Sequence, residues 1–152
     1  MKLTIVFIPV MIFVLAIPAT SQKNHTKDVL APTGLLITGV GIGTIWTLEL
    51  ISGKNIDSNE NIFQARDKGT NQILWPHLLA EYSTAAAAFI SAVGLYRNDS
   101  WARSMTLITS GLLAYTSINS MSWVLSEKEK SIYAIPMMIG LTTAGVSIIA
   151  VF

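Results

Sequence analysis

Apolar residues come in five blocks along the chain, and short polar stretches separate them. The first block is Leu3 to Ile17. The second runs from about Leu30 to Ser52, the third from Pro76 to Tyr96, the fourth from Trp101 to Leu125, and the fifth from Ser131 to Phe152. A helix needs about 20 mostly apolar residues to cross a hydrocarbon core of roughly 30 Å. The last four blocks reach that length. In hydrocarbon every backbone N–H and C=O must find its partner inside the segment, which favours helices over open strands. The pattern therefore predicts an all-α fold, an integral membrane helical bundle of four transmembrane helices plus an N-terminal hydrophobic helix.

That first helix has two readings. Lys2, an apolar run of about 15 residues and then Ala19-Thr20-Ser21 match a secretory signal with a small-residue cleavage site. Alternatively the segment stays as a fifth span. Residues 1–21 are thus a signal peptide or first span, and residues 22–152 form the transmembrane domain. The one sizeable polar connection covers residues 53–74. It suits a surface helix near Glu60–Lys68 or an open loop, and a membrane sensor or anchor would act through it.

Composition sharpens the class. Hydrophobic residues are 51% of 152 positions and charged residues 12%, about half the share of an ordinary soluble domain. The mean hydropathy is +0.53. A net charge of +1 supplies no long-range field for nucleic acid, so none is expected as a partner. With no cysteine, disulfides, iron–sulfur clusters, thiolate zinc and cysteine nucleophiles are excluded. With the N-terminus inside, Lys2, Lys54, Arg66, Lys68, Lys128 and Lys130 face the cytoplasm, against Lys23, Lys27, Arg97 and Arg103 outside. This is a slight positive-inside bias. Trp75, Trp101 and Trp123 flank the blocks, where indoles favour the headgroup layer. The expected location is the cell or plasma membrane.

Helices in lipid gain little from leucine against leucine, so small residues and polar pairs hold them together. Gly39-x-x-x-Gly43 marks a stripe on the second block. On the third, His77, Glu81, Thr84, Ala88, Ser91 and Ala92 share a sector of about 100° at 3.6 residues per turn, opposite Leu79, Phe89, Ile90 and Val93. Thr106, Ser110, Ser117 and Ser120 align on the fourth, and Gly140-x-x-x-Ala144 with Ser147 on the fifth. Packing is the simplest role for Gly39, Gly43, Ala88, Gly140 and Ala144.

Charge within a span costs about 2.5–3.5 kcal/mol near its centre, and two acidic residues stand in such places, Glu49 and Glu81. Trp75-Pro76 predicts the start of the third helix, since proline suits the first turn. His77 and Glu81 then meet at i,i+4 spacing. Connectivity brings Glu49, His77, Glu81 and Asn119 to one leaflet, beneath the polar connection. Two readings stay open. In one, Glu81 pairs with His77 and Glu49 reaches the headgroups. In the other, the four converge in a pocket for a proton, a quinone or a metal, with His77, Glu81 and Glu49 as candidate ligands. No cofactor is required by the sequence, and no catalytic set is complete. The function expected is an accessory or structural subunit of a larger membrane complex, meeting the lipid bilayer and other membrane subunits or its own copies. A membrane carrier or redox protein using the Glu/His pocket is the alternative.

Overall fold

The computed structural model describes residues 25–52, 73–126 and 134–152. Their regular structure is four α-helices: α1 (His25–Ser52), α2 (Trp75–Tyr96), α3 (Ala102–Ser126) and α4 (Ala134–Val151). Residues 1–21, the connection over residues 53–72 and Tyr133 lie outside the described residues. α1 begins at His25, five residues before the apolar block. Helical hydrogen bonding is indifferent to where hydropathy changes, and α1 continues through Pro32, although an interior proline removes one N–H from the ladder and crowds the carbonyl one turn back.

Each helix packs on its neighbour in the chain, and α4 closes on α1, while among the described residues the backbones of the diagonal pairs α1–α3 and α2–α4 stay more than 8 Å apart, Cα to Cα. Directions follow from the pairs. Thr33 and Tyr96 share a hydrogen bond of 2.7 Å, and Thr47 and Tyr82 one of 3.0 Å, so α1 and α2 are antiparallel. Ser91 and Thr109 share one of 2.8 Å between α2 and α3. Thr38 and Thr143 share one of 3.1 Å between α1 and α4. The result is an up-and-down bundle in which hydroxyl pairs join the α1–α2, α2–α3 and α1–α4 seams.

The turn between α2 and α3 shows why the chain reverses there. Asn98 takes the left-handed conformation, φ 55°. Asn98 N–H donates to Leu95 O at 3.1 Å and Asp99 N–H to Gly94 O at 2.9 Å, the paired bonds of a Schellman cap. Trp101 then folds back on Gly94, where a Cβ would stand 2.5 Å from its ring.

The distribution of polarity is inverted relative to a soluble bundle, whose apolar faces turn inward. Inside are small and hydroxylated residues, among them Ala88, Ala92, Thr84, Ser91, Thr106, Thr109, Ser110 and Ser147, with Leu35, Leu36, Ile42, Leu78 and Leu113 among the large members. Outside stand Ile37, Ile51, Tyr115, Ile118, Ile135 and Ile149, each more than 60% exposed. On α2, Leu79 and Ile90 are exposed while Glu81, Thr84, Ala88, Ser91 and Ala92 are buried. Among the described residues three helices are long and apolar enough to cross a membrane: Val29–Leu48 within α1, Trp75–Tyr96 and Ala134–Val151. α3, expected as a fourth span, is long enough but less apolar on average. Its hydroxyls explain the difference: Thr106, Thr109, Ser110, Thr116, Ser117 and Ser120 are all buried, and Leu107, Ile108, Leu112, Tyr115 and Ile118 face out. An average over the helix cannot register that segregation.

Candidate functional site

The buried carboxylate of Glu81 lies at the end of the bundle where α1 finishes and α2 begins. Pro76 occupies the first turn of α2, placing His77 in that turn and Glu81 one turn deeper on the same face. Glu81 is 1% exposed. Ser120 on α3 donates its hydroxyl to Glu81 Oε1 at 3.2 Å, and the Trp46 indole on α1 is a second hydrogen-bonding partner. His77 Nε2 stands 3.9 Å from the same oxygen, with its side chain 27% exposed. The rings of Trp46 and His77 meet edge-to-face, centroids 4.9 Å apart and planes at 78°. A carboxylate removed from water needs such partners. Three helices supply them.

One residue along each helix, Thr47 adds a lateral tie to Tyr82. The Thr47 hydroxyl donates to Gly43 O at 2.7 Å and also bonds Tyr82. The site is therefore a compact set of Trp46, His77, Glu81 and Ser120, braced by Thr47 and Tyr82. Chemically it can pin α1, α2 and α3 together, hold a proton between imidazole and carboxylate, or hydrogen-bond a polar group that enters past His77.

The sequence-derived pocket overlaps this set in part. His77 and Glu81 are together. Asn119 is on the exposed side of α3, and the next residue, Ser120, reaches Glu81 in its place. A helix turns 100° per residue, so a shift of one position decides which side chain faces inward. Glu49 is in the last turn of α1, and its side chain falls outside the described set. Among the described residues no group of three or more His, Asp or Glu side chains gathers to hold a metal, and His77 with Glu81 provides two ligands. Ser120 was visible as a member of the inward stripe on α3. Trp46 had no comparable signal beyond its position a turn short of the helix end, unlike the three tryptophans that flank spans.

The packing residues separate along the same lines. A Cβ on Gly39 would stand 2.9 Å from Ala85 O and 3.2 Å from Ala88 Cβ, whereas one on Gly43 would meet nothing within 4 Å. Gly43, expected as the second member of that stripe, faces open space. A Cβ on Gly140 would stand 2.6 Å from Ser117 Oγ, and Ala144 is buried beside it.

No curated protein and no solved structure matches the chain. A family model described as a domain of unknown function, DUF8058, matches residues 27–152. That span takes in all four helices except the first two residues of α1. The chain belongs to the DUF8058 family.

Proposed function

We propose that this chain is a multi-pass integral membrane protein that serves as an accessory or structural subunit of a larger membrane complex. Three helices have the length and hydropathy of spans, and the outward face of α3 is apolar in the same way. All four then cross the bilayer, with their hydroxyls turned inward. This arrangement suits a solvent of acyl chains, where polar pairs between helices do the joining.

The observation that carries the subunit role is a set of glycines on the outer surface. Among the described residues, Gly41, Gly43, Gly111 and Gly145 have nothing within 4 Å of where a Cβ would stand. Each costs a helix about 0.5–1 kcal/mol relative to alanine, and none of them lets two helices of this bundle approach. They leave flat places where the backbone of another membrane helix can come close. The Glu81 site fits the same role as an internal tie between α1, α2 and α3.

Isolation of the tagged chain in mild detergent, followed by cross-linking and mass spectrometry, tests this. A second membrane protein should accompany it in fixed ratio, and Gly145→Leu should release that partner without unfolding the chain. A monodisperse single chain, indifferent to Gly145→Leu, would overturn the subunit role.

A second reading has one observation in its favour. Glu81 is buried while His77, one turn nearer the helix end, is partly exposed, which is the layout of a proton or ligand entry. Metal or quinone bound to the isolated chain, and lost in Glu81→Gln, would establish that carrier or redox role.

A further inference from the structure

We propose that the seam between α1 and α4 holds one hydrocarbon chain of a membrane lipid, whose ester or ether oxygen accepts a hydrogen bond from Ser147. A cavity of about 530 Å³ runs along this seam, walled by Leu30 on α1 and by Ile135, Met138, Ile139 and Val146 on α4. The volume is in the range of small-molecule sites, about 300–1,000 Å³. α4 is the least covered of the apolar helices, with 22% of its span buried against 50% for α2, so the seam opens sideways rather than to the bundle ends.

Length and chemistry both point to a lipid chain. At 1.5 Å per residue the wall from Ile135 to Ser147 rises about 18 Å, close to one leaflet's share of a hydrocarbon core of roughly 30 Å. Ser147 lines the cavity, is fully buried, and among the described residues its hydroxyl has no hydrogen-bond partner. Its neighbour Thr143 is already engaged with Thr38. An unmade hydrogen bond in a dry site is unfavourable, so the position calls for an acceptor from a ligand. Ser147 lies one turn from the end of α4, at the depth where the chains of a lipid join its polar head. The remaining wall is apolar and matches the chain below that junction.

This site rests on the membrane placement proposed above and is independent of the subunit role. The full chain, equilibrated in nanodiscs of dioleoylphosphatidylglycerol and released into native mass spectrometry, should retain one lipid. Thr142→Phe, on the exposed edge of the cavity, should lower occupancy about ten-fold or more, and Ser147→Ala about five-fold, as for one lost neutral hydrogen bond. Ile149→Phe, exposed but off the cavity, should retain lipid like the wild type. Added lipid should also raise the Tm of the wild type and not that of Thr142→Phe. No retained lipid, or equal retention in all four proteins, would overturn the proposal. So would a second copy of the chain, or residues 1–24, cross-linking to position 142 in the lipid's place. A chain that needs no detergent for extraction would instead remove the membrane placement itself.

Discussion

Gly39 and Gly43 share one motif in the sequence, and the structure assigns them opposite responses to the same change. In Gly39→Ala the new methyl would stand 2.9 Å from the backbone oxygen of Ala85 and 3.2 Å from Ala88 Cβ. Carbon contacts are most favourable at about 3.5–4.0 Å, so α1 must retreat from α2 by about half an ångström. Backbone cannot rotate away as a side chain can. The retreat stretches the Thr47–Tyr82 and Thr33–Tyr96 bonds on the same seam, at 3.0 and 2.7 Å. Overpacking of this kind costs about 1–3 kcal/mol, and exchanging glycine for alanine in a helix returns about 0.5–1 kcal/mol. The net loss is about 1 kcal/mol, and Gly39→Leu should exceed it several-fold. Gly43→Ala meets nothing and keeps only the helical gain, so the isolated chain should be as stable as wild type or more so. Reversible unfolding in mixed detergent micelles, followed by helical circular dichroism, measures both. Equal stability of the two alanine variants, or a greater loss at Gly43, would refute the assignment of Gly39 to the α1–α2 seam.

Two further predictions concern the other fixed points of the bundle. Glu81→Leu leaves the Ser120 hydroxyl and Trp46 indole without their acceptor and should destabilise by about 1–3 kcal/mol in the same assay, whereas Glu81→Gln retains an acceptor and should stay within about 1 kcal/mol. If Glu81→Leu unfolds like wild type, the carboxylate is no tie between helices. At the α2–α3 turn, Asn98→Val forces a branched side chain into the left-handed region at a cost of about 1–2 kcal/mol, and Asn98→Gly should be neutral or stabilising. A Tm unchanged by Asn98→Val would show that the cap contributes nothing.

The all-α class and the inward faces were legible in the sequence because both depend on periodicity. The sector on α2 from His77 to Ala92 and the hydroxyl line on α3 each turn inward as their spacing implies. What was not legible depends on neighbours. Gly39 and Gly43 are chemically identical four residues apart, and only the position of α2 separates them. Ser120 rather than Asn119 reaches Glu81 because rotation of α3 about its axis is set by packing against α2, and local spacing does not contain that angle. Trp46 joins the site through an approach of α1 to α2 across a connection of more than twenty residues, which no local signal encodes. Mean hydropathy sets α3 below the other three helices for a related reason, since it sums over faces that the fold keeps apart.

The hydroxyl-lined face of α3 bears on how the protein is made. A helix entering a bilayer alone would present Thr106, Thr109, Ser110, Ser117 and Ser120 to hydrocarbon, and its own sequence gives it a weak preference for leaving water. Joined to α2 by the cap at Asn98, the same face meets Ser91 and Glu81 at once. On the membrane placement proposed above, the α2–α3 hairpin is the natural unit of insertion, and the short turn between them serves biosynthesis as well as the finished bundle.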